Sequence, residues 1–335
     1  EFMREKTYFS ELCLVQIATR DVVACVDPLA LEDCSALYEL IYDTAKLKVL
    51  HSGRQDLELF FATPGGVVQP LFDTQIAAGL VGHAPQIGYG PLVEALLGVS
   101  LAKGQTRTNW KRRPLSAAQT EYAADDVRYL LEVYDMLRDA LEAADRLTWA
   151  EHDSQRLADP ALYTTDPLEA WRRVKRAGVL RPEERRKLVA LAAWRETAAM
   201  RRNLPRRWVL ADDALVALAQ GPASSVEELK RIPGVSAKLA QRHGSALLTA
   251  INEVAPTLPM PPEPRPRPSQ AEKDQVRRLA TRARGAAEGL GIDPSLLATQ
   301  RELQALVAGE RALSVLTGWR REAVGEQLLG DLDSR

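Results

Sequence analysis

Seven prolines fall within residues 256–268, PTLPMPPEPRPRP, a density that no helix or sheet ladder tolerates, because each ring fixes φ and removes an amide donor. That segment reads as an extended linker and divides the chain. The 255 residues before it exceed one compact core at roughly 100 to 200 residues per domain, so a second boundary is expected upstream. The β-branched runs ELCLVQIAT and DVVACVDPL flank a polar Arg20-Asp21 turn and predict a hairpin. After them, helical and strand patterns alternate: helix LEDCSALYELIYD, strand KLKVLHSG, helix DLELFFATPGG ended by Pro64 and Gly65, strand VVQPLFDT, helix TQIAAGLVG. One long amphipathic helix, TEYAADDVRYLLEVYDMLRDALEAA, closes this half. The order implies an α/β fold with a mixed sheet. From Thr148 onward only helical periodicity with caps is visible. The expected domains are 1–147, 148–255, the linker 256–268 and a helical unit 269–335.

Hydrophobic residues at 46% and charged residues at 27% exclude fibrous and disordered classes. No apolar run approaches the ~18 residues that a bilayer demands, and the opening EFMREK lacks a secretory pattern. The three cysteines, Cys13, Cys25 and Cys34, show no paired ligand spacing, which argues against a disulfide or zinc framework and for a reducing cytoplasm. The net charge of −1 conceals a polarised chain. Residues 1–150 carry 14 basic and 21 acidic side chains, and the remainder carries 30 and 24. Within 171–242 there are 17 basic against 7 acidic residues, which suits either a polyphosphate partner or solvated helix faces.

Several residues are candidates for chemistry. Tyr122 and Asp126 stand four apart in the long helix, which places phenol and carboxylate on one face. Asp56 follows the strand KLKVLHSG, where a strand end presents a carboxylate, although taken alone a first-turn helix Asp favoured by the macrodipole is the simpler explanation. Glu1 precedes the hairpin as a third acid. His51, at a strand end without a Ser or Cys nucleophile, reads as structural, and Asp73 reads as an N-cap outside any metal set. The stretch Lys103, Arg107, Trp110, Lys111, Arg112 and Arg113 is either a solvated connector or a place where a phosphate is held and a base stacked. Farther on, Arg206 and Arg207 begin a new helix, and Gly234 and Ser236 at a helix start offer amides to phosphate or simply cap the helix.

Taken in order, EFMREKTYFSELCLVQIAT, VLHSGRQDLELF, PLFDTQIAAGL, TRTNWKRRPLSAAQTEYAADDVRYLL, LLATQRELQALV and GWRREAVGEQLL make the sequence resemble the ribonuclease D family over nearly its whole length. RIPGVSAKLAQRHG resembles the helicase and RNase D C-terminal (HRDC) domain, and 269–335 looks like a second, diverged copy. The resemblance implies a ribonuclease H-like exonuclease domain followed by all-α HRDC domains. It also implies a 3′-to-5′ exoribonuclease of the four-carboxylate, tyrosine-containing type, which trims 3′ ends of transfer RNA precursors and other structured RNAs and releases nucleoside 5′-monophosphates. Two divalent ions, Mg2+ or Mn2+, are implied, with Glu1, Asp56 and Asp126 as ligands and Tyr122 holding the attacking water. Nucleic-acid contacts then fall to Lys103, Arg107, Trp110, Lys111, Arg112, Arg206, Arg207 and Gly234. A cytoplasmic monomer is the implied setting.

The family's first motif is Asp-x-Glu-Phe, and Glu1-Phe2 supplies only its last two positions. The expectation is therefore a fragment lacking the first strand, inactive or poorly folded in this form. The alternative is a catalytically impaired RNA-binding protein.

Overall fold

In the computed structural model, residues 1–62, 66–102, 104, 108–253, 258 and 268–333 are described. The linker expectation therefore falls almost wholly outside the described residues. Two compact units divide the chain: Glu1 with Leu12–Tyr163 and Arg267–Arg335 form the first, and Phe2–Glu11 with Thr164–Pro266 form the second.

The first unit holds the expected hairpin. Val15–Ala18 pairs antiparallel with Val23–Val26, in register from Val15 opposite Val26 to Ala18 opposite Val23. A parallel pair, Lys48–Leu50 with Leu71–Asp73, follows, and each of its strands runs directly into a helix, Arg54–Phe61 and Thr74–Leu80. That is the mixed direction anticipated from the alternation of patterns. The 117–143 segment departs from expectation, because the single long helix is two, Ala117–Arg128 and Leu130–Ala143. They are separated at Tyr129, whose φ of −101° and ψ of 2° leave the helical region. Its amide donates to Tyr89 Oη at 3.2 Å, and this side chain from a distant element serves the break.

Helices after residue 267 belong to the same unit as the hairpin and the parallel pair. Phe72, Leu80 and Leu137 share one core with Leu279, Leu303 and Leu306. The Trp149 and Trp319 rings stack at 4.5 Å and 5°, and Arg146 donates to the carbonyls of Leu80 and Leu290. Asp153, 8% exposed, receives two parallel bonds of 2.8 and 2.7 Å from Arg320. Burying that carboxylate is tolerable because the guanidinium fork satisfies both oxygens.

The second unit is built around the 21-residue helix Pro182–Arg202, whose Leu188 and Leu191 pack with Leu215, Leu218, Leu229 and Leu247. Helices Asp212–Gln220, Val226–Leu229 and Ala237–Asn252 supply those partners. Glu196, fully buried, is gripped by Arg206 at 2.6 and 2.7 Å and by the Tyr8 hydroxyl. Asn203 Oδ1 accepts the amides of Tyr8 and Phe9, both at 3.0 Å. The 2–11 segment is thereby tied into the helical unit.

Candidate active site

Two parallel strands ending in helices create crevices at their carboxyl ends, which is where ligands bind in such sheets. The first strand ends in His51-Ser52-Gly53, with Ser52 at a φ of 55°, and the helix that follows carries Asp56 in its first turn. Asp73 holds this turn in place. Its carboxylate accepts the amides of Ser52 at 3.1 Å and Gly53 at 2.8 Å, and also caps its own helix through Gln75 and Ile76. It is the N-cap anticipated, with a second task added.

Helix Ala117–Arg128 opens with a capping box between Ser116 and Gln119 and delivers Tyr122 and Asp126 one turn apart. Arg113, just before it, clasps Asp27 at 2.6 and 2.7 Å and donates to the carbonyls of Trp110 and Cys13 at 2.6 and 2.8 Å. Cys13 and Leu14 in turn donate their amides to the Glu1 carbonyl at 2.9 and 3.1 Å. One arginine thus links the approach to the helix of Tyr122 and Asp126 with the segment that seats Glu1.

Glu1 and Asp126 meet. Burial, the nearby Glu1 carboxylate and a hydrogen bond with it together raise Asp126 to about 7. Asp56 is also raised, first by burial and then by Glu1 and Asp73. The three anticipated acids therefore share one electrostatic neighbourhood, although no group of three or more His, Cys, Asp or Glu side chains among the described residues closes into a cation site. As a donor set they fit a divalent cation. They are hard oxygen ligands, partly desolvated, and the repulsion between Glu1 and Asp126 is of the kind a cation relieves.

Beside them lies a cavity of about 280 Å3 lined by Gly88, Tyr89, Gly90, Pro91, Leu101, Tyr122 and Asp126. Sequence reasoning passed over the Gly-Tyr-Gly-Pro wall. Its one signal is an aromatic residue set between two glycines, a place where backbone lies open to a ligand.

Other expectations need correction. Trp110 is 3% exposed, its ring 6.2 Å from that of Tyr122, so it packs behind the tyrosine and offers no face to a base. Arg206 is committed to Glu196 and Tyr8, and a phosphate contact would take from a buried carboxylate its two short guanidinium bonds. Lys111, Arg112 and Arg207 are exposed, whereas Lys103 and Arg107 lie outside the described residues. Gly234, at a φ of 82°, is dictated by packing: a Cβ there would stand 2.8 Å from that of Ala214. The helix cap next to it is Ser236, which accepts the Leu239 amide.

The 3′-5′ exonuclease family profile matches residues 1–142, and the HRDC domain profile matches 184–251. Ribonuclease D of Granulibacter bethesdensis is 41% identical over 341 residues, covering 98% of this chain and 85% of that protein. Ribonuclease D of Xanthomonas oryzae pv. oryzae is 36% identical, covering 100% and 92%. The chain belongs to the ribonuclease D family. The crystal structure of Escherichia coli RNase D, described as an exoribonuclease involved in structured RNA processing, superposes with a TM-score of 0.86 at 32% identity, covering 99% of this chain and 91% of that one. Family membership carries a ribonuclease H-like exonuclease fold followed by an HRDC domain, and a metal-dependent 3′-to-5′ exoribonuclease activity. It does not favour the alternative of a binding protein without catalysis. Among the described residues no helix is long and apolar enough to cross a membrane.

Proposed function

We propose that this ribonuclease D family member trims the 3′ ends of transfer RNA precursors and other structured RNAs, as a cytoplasmic monomer, and releases nucleoside 5′-monophosphates. The observation that carries this reading is the convergence of Glu1 and Asp126 through a shared hydrogen bond, with Asp126 and Tyr122 lining one cavity. Glu1, Asp56 and Asp126 are the residues that would hold two Mg2+ or Mn2+ ions. Such a pair, when bound, stabilises charge on the attacking and leaving oxygens and favours hydroxide near neutral pH.

The protein's own contribution is placement. Tyr122 orients the attacking water by hydrogen bonding, since a phenol with a reference pKa near 10 is a weak base at neutral pH. Asp126, raised to about 7, has to lose its proton to hold a cation, and its place beside Glu1 sets two oxygen ligands together. The cavity takes the terminal nucleotide, and exposed Lys111, Arg112 and Arg207 meet RNA phosphates. Residues 269–335 are the diverged second HRDC copy.

The test uses the full-length protein with Mg2+ and a 5′-labelled RNA carrying a free 3′ hydroxyl. A ladder shortening from the 3′ end, nucleoside 5′-monophosphate as product, arrest by chelator and loss in Asp126→Asn support the reading. Retention of the RNA at full length by the wild-type protein rejects it.

A further inference from the structure

His51 is absorbed by none of the chemistry above, yet both its ring nitrogens are engaged. Nδ1 lies 2.9 Å from Thr74 Oγ1, and Nε2 lies 3.0 Å from the carbonyl oxygen of Ile87. A carbonyl can only accept, so Nε2 carries the hydrogen. The Thr74 hydroxyl has two acceptors within reach, Nδ1 and the Leu50 carbonyl at 3.0 Å. Burial lowers the imidazole pKa and keeps the ring neutral, with Asp73 the charged group that opposes this shift. That tautomer makes His51 a fixed donor aimed at one backbone oxygen.

The oxygen it holds lies at a consequential place. Ile87 immediately precedes Gly88, the N-cap of helix Tyr89–Leu97, and Gly88 through Pro91 form one wall of the cavity shared with Tyr122 and Asp126. Gln75 Nε2 donates to the same carbonyl at 3.0 Å, so donors from two strand-to-helix turns converge on it. The His51 and Tyr89 rings lie 5.6 Å apart, which adds a packing contact along the same line. Gly88 has no side chain with which to brace itself against the sheet, so the bonds to Ile87 supply the bracing.

We propose that His51 is a positioning residue, one that pins the Ile87 carbonyl so that Gly88–Tyr89–Gly90–Pro91 keep the wall receiving the 3′-terminal nucleotide. The assignment rests on the exonuclease reading for the identity of the ligand, while the bracing itself is a property of the protein alone.

Side-chain reach separates the possibilities. The amide nitrogen of Gln lies near the place of imidazole Nε2, and that of Asn near Nδ1. His51→Gln therefore keeps a donor for Ile87, and His51→Asn keeps only a partner for Thr74. In the full-length protein with Mg2+ and single-stranded RNA, His51→Asn and His51→Ala are expected to raise KM about fivefold with kcat within about twofold, and His51→Gln is expected to stay within about twofold on both. Amide hydrogen exchange at 87–90, followed by mass spectrometry without RNA, is expected to quicken in the Asn and Ala variants and not in Gln. Equal exchange in the Asn and Gln variants overturns the assignment. So does a fall in kcat at constant KM in all three, which marks proton transfer by the ring. A wild-type protein that leaves RNA intact rejects the nuclease reading, and the exchange data then judge the bracing independently.

Discussion

The Asp73 carboxylate accepts the Gly53 amide at 2.8 Å, so the residue that caps one helix also fixes the turn from which the Asp56 helix departs. Four backbone amides depend on this single side chain, those of Ser52, Gly53, Gln75 and Ile76. Asp73→Ala is expected to destabilise the first unit by about 2 to 4 kcal/mol, the sum of a lost cap and buried donors left unpaired. Urea denaturation measures it, and a change under about 1 kcal/mol would contradict the role.

In the proposed mechanism Tyr122 and Asp126 act through position, so their substitutions are expected to spare the fold. Tyr122→Phe and Asp126→Asn are each expected to lower kcat by about 100-fold or more. Melting temperatures within a few degrees of wild type, measured on the same preparations, exclude unfolding as the cause.

Glu196 supplies a pH signature in the second unit. Burial would raise its pKa, but hydrogen bonds from Arg206 and Tyr8 outweigh burial and hold it below the ordinary glutamate value. A depressed carboxyl contributes stability above its unfolded pKa, near 4.5, and loses that contribution as pH falls through the lower folded value. Melting temperature is expected to drop below about pH 4.5, with a flatter profile in Glu196→Gln. Arg206→Ala, which leaves the buried carboxylate to the Tyr8 hydroxyl and to Arg173 at 3.7 Å, is expected to cost about 3 kcal/mol at neutral pH.

Arg113 joins Asp27 to the carbonyls of Trp110, Arg112 and Cys13, with a geometry that only a planar fork provides. Arg113→Lys keeps the charge and loses the parallel pair, so a loss of about 1 to 2 kcal/mol is expected. Differential scanning fluorimetry of the variant checks it, and stability equal to wild type would show the fork to be dispensable.

Much of this was legible in the chain. Alternation in Val15–Ala18 and Val23–Val26 announced the hairpin, and first-turn Asp56 and cap Asp73 marked the two strand-to-helix turns. Tyr122 and Asp126 stood out through helical spacing joined to family resemblance. The break at Tyr129 was hidden, because the apolar periodicity runs straight through it and its partner, Tyr89, lies 40 residues away. Trp110 looked like a nucleic-acid contact since its neighbours are charged, but its own surroundings are set by Tyr122. Arg206 misled in the same way: the carboxylate that claims it lies ten residues back, and the phenol beside it lies 198 residues away. Local sequence reports propensity and charge, while the commitment of a charge is decided by tertiary partners.

Deleting 267–335 is expected to strip Leu279, Leu303 and Leu306 from the core that they share with Phe72, Leu80 and Leu137. Light scattering of the truncated protein is expected to reveal aggregation, since a contiguous apolar face is left open. A truncated chain that stays dispersed and active would show those helices to be accessory.

The stack of Trp149 on Trp319 joins side chains 170 positions apart, both within the unit that carries Tyr122 and Asp126. During synthesis on a ribosome the nuclease core therefore stays open until the segment carrying Trp319 has left the exit tunnel. A chain that stalls before Trp319 emerges bears its acidic site on an unsealed scaffold, so competence to cut RNA waits for that late helix.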